Sequence, residues 1–84
     1  MNISIAEQIK LPGIRDVKFS EDTMSVHLTD GRILSIPLAW YPRLSGATGE
    51  QLGNFEISPS GYGIHWPELD EDLSVLGFLI PGLK

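Results

Sequence analysis

Apolar and polar residues alternate with a period of two through the first half of the chain. Val17 and Phe19 are separated by Lys18, Met24, Val26 and Leu28 by Ser25 and His27, and Leu34 and Ile36 by Ser35. Each run predicts a short strand with one buried face. Register decides the turn at Asp30-Gly31. A two-residue loop would oppose Val26 to Ser35 and turn Leu34 outward. A three-residue loop, Thr29-Asp30-Gly31, opposes Val26 to Leu34 and Met24 to Ile36, with Gly31 in the left-handed bulge position. The turn Ser20-Glu21-Asp22-Thr23 likewise sets Phe19 opposite Met24, so an antiparallel meander is expected.

After Pro37 the alternation stops. AWYPRLSGATGEQLGN predicts loop plus a short helix, with Thr48 as N-cap and Gln51 completing a capping box. Alternation resumes at Phe55 and Ile57 and again at Ile64 and Trp66. The intervening Pro59-Ser60-Gly61-Tyr62 opposes Ile57 to Ile64 and Phe55 to Trp66, a second hairpin. The expected fold is α+β: a small antiparallel sheet of about five short strands, a short central helix, and a C-terminal helix. That last helix is expected from about Asp70 to Ile80, stopped by Pro81-Gly82.

At 84 residues the chain is read as a single domain, 1–84, with residues 1–13 an N-terminal arm lying over its own core or a neighbour's. Without cysteine it has no disulfide framework or thiolate metal site, which fits a reducing compartment, the cytoplasm. No signal peptide or membrane-spanning run is expected. The net charge is −5, with Lys10, Lys18, Lys84, Arg15, Arg32 and Arg43 scattered along it. Such a chain is a poor phosphate binder, so direct nucleic-acid binding is disfavoured. An acidic surface suits a small basic protein partner, or the chain associates with itself.

GIHWPELDED, residues 63–72, is the densest cluster of candidate chemistry. A calcium loop requires Gly at position six and Glu at twelve. Counting from Glu68 gives Leu73 and Leu79, and from Asp70 gives Val75 and Pro81, so both registers fail. His65 and Glu68 could supply two zinc ligands, but a closed zinc site needs four. No nucleophile elbow, Cys nucleophile or phosphate-binding loop is present. The sequence therefore argues against an enzyme and implies no metal or cofactor. Arg43, His65 and Glu68 remain a candidate polar site for a small ligand or minor activity. Asp70 and Asp72 are expected to cap the last helix, where negative charge favours the N-terminal end of the dipole. From Leu73 to Ile80 the apolar residues spread over about 220° of a helical wheel, more than one sheet face covers. Val75, Phe78 and Leu79 are therefore expected at an interaction surface, unless Ile3, Ile5, Ile9 and Leu11 of the arm cover them.

Asp30-Gly31-Arg32, Tyr41-Pro42-Arg43-Leu44 with Ala47-Thr48, and above all the block from Gly61 through Pro67 to Ser74 resemble domain-of-unknown-function family 2442. The resemblance covers most of the chain after about Arg15. It implies a small bacterial α+β domain, in some members fused ahead of a helix-turn-helix domain. Free-standing members are often encoded beside another small protein, which implies an antitoxin-like role in a two-gene pair. A helix-turn-helix domain after Lys84 is not expected, and Leu52 stands where relatives often carry a basic residue. The resemblance transfers no catalytic residue.

Overall fold

The structure, a computed structural model, describes residues 11–80. Strands β1 (Ile14–Phe19), β2 (Thr23–Leu28) and β3 (Ile33–Pro37) form the first antiparallel sheet in the order β1-β2-β3. Its registers are the expected ones: Phe19 faces Met24, Met24 faces Ile36, and Val26 faces Leu34. Gly31 has φ +95°, the left-handed geometry that a three-residue hairpin loop demands. The carboxylate of Asp30 braces that turn, accepting from the Arg32 backbone N–H at 3.1 Å and from Arg32 Nε at 2.8 Å. Those contacts, the backbone bond foremost, hold the Asp30 carboxyl below its ordinary range.

β1 departs from simple alternation. Its register shifts between Ile14 and Asp16, a bulge that brings both Ile14 and Val17 to the core face.

A 3-10 turn, Leu38–Trp40, and two short helices, α1 (Pro42–Ser45) and α2 (Gly49–Gly53), follow. Thr48 caps α2 through the full capping box: its hydroxyl accepts from the Gln51 N–H, and its own N–H donates to the Gln51 side chain. Leu38, Leu44 and Leu52 of this segment are buried.

The second sheet has the order β4-β5-β6: Glu56–Ile57, Gly63–Trp66 and Glu71–Ser74. Ile57 faces Ile64 as expected, and Gly61, at φ +83°, closes the loop between them. The sheets meet at the same glycine. The Ile14 N–H donates to the Gly61 carbonyl at 2.7 Å.

β6 corrects the expected C-terminal helix. Pro67 to Asp70 form a turn between Trp66 and Glu71, which face each other, and Glu71 to Ser74 continue as a strand. Helix α3 begins only at Val75 and ends at Leu79. Ser74 is its N-cap, its hydroxyl accepting from the Gly77 N–H at 3.0 Å. Asp70 and Asp72 therefore do not cap the helix. Asp70 is in the turn at φ +51°, and Asp72 is in mid-strand. The strand also removes the apolar excess from the wheel. Leu73 points inward from β6, and Val75 and Phe78 are buried at 0% and 9% exposure. Val75 and Phe78 are thus core residues, not an interaction surface, and Leu79 is half-buried against the same core. The expected arm (residues 1–10 of it) and the Pro81-Gly82 stop lie outside the described residues.

Both sheets share one core. Met24, Val26, Leu28 and Ile36 of the first sheet join Ile64, Trp66 and Leu73 of the second, with Val75 and Phe78 of α3. Trp66 is wholly buried, and its indole N–H donates to the Leu52 carbonyl at 3.0 Å, which ties the second sheet to α2.

Candidate functional site

The buried residues of β5, Ile64 and Trp66, alternate with Gly63 and His65, which belong to the sheet's outer face. Cross-strand register sets Glu56 of β4 on one side of His65 and Asp72 of β6 on the other. The Val75 N–H donates to the Tyr62 carbonyl, and hydrogen-bonded pairs alternate along an antiparallel ladder. His65 and Asp72 therefore form a non-hydrogen-bonded pair, the kind whose side chains come closest. Their Nδ1 and Oδ1 lie 2.7 Å apart. An ionised carboxylate only accepts, so Nδ1 carries the proton and Nε2 is left as the ring's other polar atom. Both side chains are open to water, at 40% and 76% exposure.

An open groove of about 460 Å³ adjoins this row, lined by Glu56, Ile57, Ser58, His65, Asp72 and Leu73 among others. Ser58 is the one hydroxyl among these six residues. Its Oγ accepts from the Gly63 N–H at 3.0 Å and shares a hydrogen bond with Ser60 Oγ at 3.0 Å. It is thus engaged by its own loop rather than by His65, and no nucleophile–base pair is assembled here.

The three residues of the expected polar site do not converge. Arg43, at the start of α1, reaches the turn before β6, where its Nη1 donates to the Asp70 carbonyl and lies 3.9 Å from Asp70 Oδ2. His65 pairs with Asp72. Glu68 lines a separate hollow with Phe55, Asn54 and Pro67. Among the described residues, no three His, Asp or Glu side chains come together as metal donors. No helix among them is long and apolar enough to cross a membrane.

What spacing motifs missed is a division of charge. No Lys or Arg occurs between residues 44 and 83, while Glu50, Glu56, Glu68, Asp70, Glu71 and Asp72 all do. Before residue 44, five acidic and five basic residues balance: Glu7, Asp16, Glu21, Asp22 and Asp30 against Lys10, Arg15, Lys18, Arg32 and Arg43. Net charge counted by halves would have found it. The fold turns this asymmetry into a surface, because the acidic half builds the second sheet. Among the described residues, His65 is the only basic side chain on that sheet's outer face.

Comparison with known proteins agrees with this fold. The family described as "Protein of unknown function (DUF2442)" matches residues 14–82. An uncharacterised protein from Chromobacterium violaceum, solved in solution by NMR, is 35% identical with a TM-score of 0.72. The match covers 86% of this chain and 68% of that one. A protein of unknown function from Rhodospirillum rubrum, known from a crystal structure, is 33% identical, also with a TM-score of 0.72. There the match covers 88% of this chain and 94% of that one. No curated protein matches. The chain belongs to the DUF2442 family.

Proposed function

We propose that this DUF2442 member is a non-enzymatic protein-interaction module that receives a basic segment of a partner protein on the outer face of its second sheet. The observation that carries this is the Glu56–His65–Asp72 row, set beside a groove with apolar walls in a half of the chain that has no Lys or Arg before its last residue. Exposed ion pairs contribute little each, about 0.2–1 kcal/mol. Several carboxylates acting together steer a cationic segment to the face. In this proposal the partner is the small basic product of a neighbouring gene, and the module acts as the antitoxin-like member of a cytoplasmic two-gene pair. The likeness to a family whose free-standing members are so arranged supports that finer step.

The test is titration of the isotope-labelled protein with a synthetic Lys- and Arg-rich peptide, followed by amide chemical shifts. Glu56, His65 and Asp72 should shift together, the affinity should fall with salt, and Glu56→Gln with Asp72→Asn should remove the binding. Co-expression with the neighbouring gene should yield a complex that the same double variant loses. Shifts confined to the first sheet, or undiminished binding by the double variant, would overturn the assignment.

A further inference from the structure

The two edges of the first sheet are built differently. β1 exposes Arg15, Asp16 and Lys18 and carries the bulge after Ile14. Charges and bulges are the usual means of blocking strand addition. β3 has neither. Ile33-Leu34-Ser35-Ile36-Pro37 contains no charged residue, and it pairs with β2 without interruption from Thr23↔Pro37 to His27↔Ile33. Ile33, Ser35 and Pro37 are exposed, Ile33 at 56%.

Ladder parity shows which backbone groups this edge offers. The Leu28 N–H donates to the Arg32 carbonyl, so Leu34 and Ile36 make the alternate bonds to β2. The amides of Ile33 and Ser35, and the carbonyls of Ile33, Ser35 and Pro37, point to the open side. No other described strand pairs there.

We infer that β3 is the contact through which two copies of this chain pair, antiparallel, about a two-fold axis at Ser35. In that register the two Ser35 residues exchange hydrogen bonds in both directions. Each Ile33 N–H reaches the carbonyl of Pro37 in the other copy. Proline has no N–H to leave unpaired, so it fits the end position. On the exposed face Ile33 of one copy packs on Pro37 of the other. Trp40, 61% exposed in the following 3-10 turn, adds apolar surface at the same strand end. Charge selects the occupant. Copies of an acidic chain repel through the second sheet, whereas residues before 44 are balanced in charge and let two copies approach. The pairing is isologous, the symmetry most homo-oligomers adopt. It leaves the face of Glu56 and Asp72 free, so it stands independently of the proposed partner.

The experiment is sedimentation equilibrium of the full chain from micromolar to millimolar concentration, with hydrogen exchange read at Ile33 and Ser35. The expected results are a doubling of sedimenting mass and protection of both amides that grows with concentration. Ser35→Lys and Ser35→Glu place like charges against each other at the axis. Each variant alone should be monomeric with an unchanged circular dichroism spectrum, and mixing the two should restore the dimer. Ile33→Lys supplies a second monomeric variant should either Ser35 change disturb the fold. The Glu56→Gln/Asp72→Asn variant should still dimerise. A chain that stays monomeric throughout, a dimer that persists in both Ser35→Lys and Ile33→Lys, or a Lys/Glu mixture that stays monomeric would each overturn the inference.

Discussion

The guanidinium of Arg43 donates to the backbone carbonyl of Asp70, while the Asp70 carboxylate stands off at 3.9 Å. What α1 grips is thus the backbone of the turn before β6, in a residue held at φ +51°. Few L-residues adopt that conformation; Asn and Gly do so readily, and a β-branched side chain does so at a cost of about 1–3 kcal/mol. Asp70→Asn and Asp70→Gly should therefore leave urea stability within a few tenths of a kcal/mol, whereas Asp70→Val should lose about 1–3 kcal/mol. If Asn and Val cost the same, the carboxylate matters and the backbone account is wrong.

Ser74 caps α3, and Ser74→Ala should cost about 0.5–2 kcal/mol in chemical denaturation. Asp72→Ala removes only an exposed cross-strand partner of His65 and should cost less, about 0–1 kcal/mol. The opposite order would restore a helix that starts before residue 74.

Trp66 combines full burial with a hydrogen bond to the Leu52 carbonyl. Trp66→Phe keeps most of the volume but orphans that carbonyl, with an expected loss of about 1–3 kcal/mol. Trp66→Ala also opens a cavity between the sheets and should lose roughly 3–5 kcal/mol, a large part of the stability of so small a domain. Melting curves that place the Phe variant at or below the Ala variant would show that the indole N–H outweighs the packing.

Tyr41 lies edge-on to Phe78, ring centroids 6.4 Å apart. Burial first, and the Glu71 carboxylate second, raise its phenol above the ordinary 10.0. The folded chain then keeps this proton at a pH where the unfolded chain has lost it. Its contribution to stability is complete below the unfolded value and is lost as pH rises through the folded one. Ultraviolet titration of Tyr62→Phe, which leaves Tyr41 as the only tyrosine, should give a midpoint above 10.0. Adding Glu71→Gln should lower that midpoint only in part, because burial remains. A midpoint at or below 10.0 would contradict the burial of this ring.

Phe78→Glu puts a carboxylate into the shared core. It should unfold the domain in far-ultraviolet circular dichroism, as a residue 9% exposed requires. A folded Phe78→Glu protein that lost only partner binding would return Phe78 to the surface.

The sequence by itself determined the first sheet, the second hairpin and the capping box, because each rests on local signals. A strict period of two, a Gly in a left-handed turn, and Thr and Gln three residues apart all act within a few positions. Ile14 was not legible, since the bulge that turns it inward forms only against β2. Nor was β6: EDLS has a single buried residue, and the Leu73–Val75 alternation that continues it runs into a true helical stretch that begins at Val75. Only the tertiary structure decided that assignment. Four residues after Trp66 suffice for a turn once Arg43 holds the Asp70 backbone, and Glu71 then falls opposite the fixed strand β5. The candidate site followed the same division. The acidic composition of residues 44–83 is plain in the sequence, but the meeting of Glu56, His65 and Asp72 required strands separated by loops to be set in register. That same register sent Arg43 and Glu68 elsewhere, because charged side chains follow the backbone that carries them, and pairing across a sheet is a property of the whole fold.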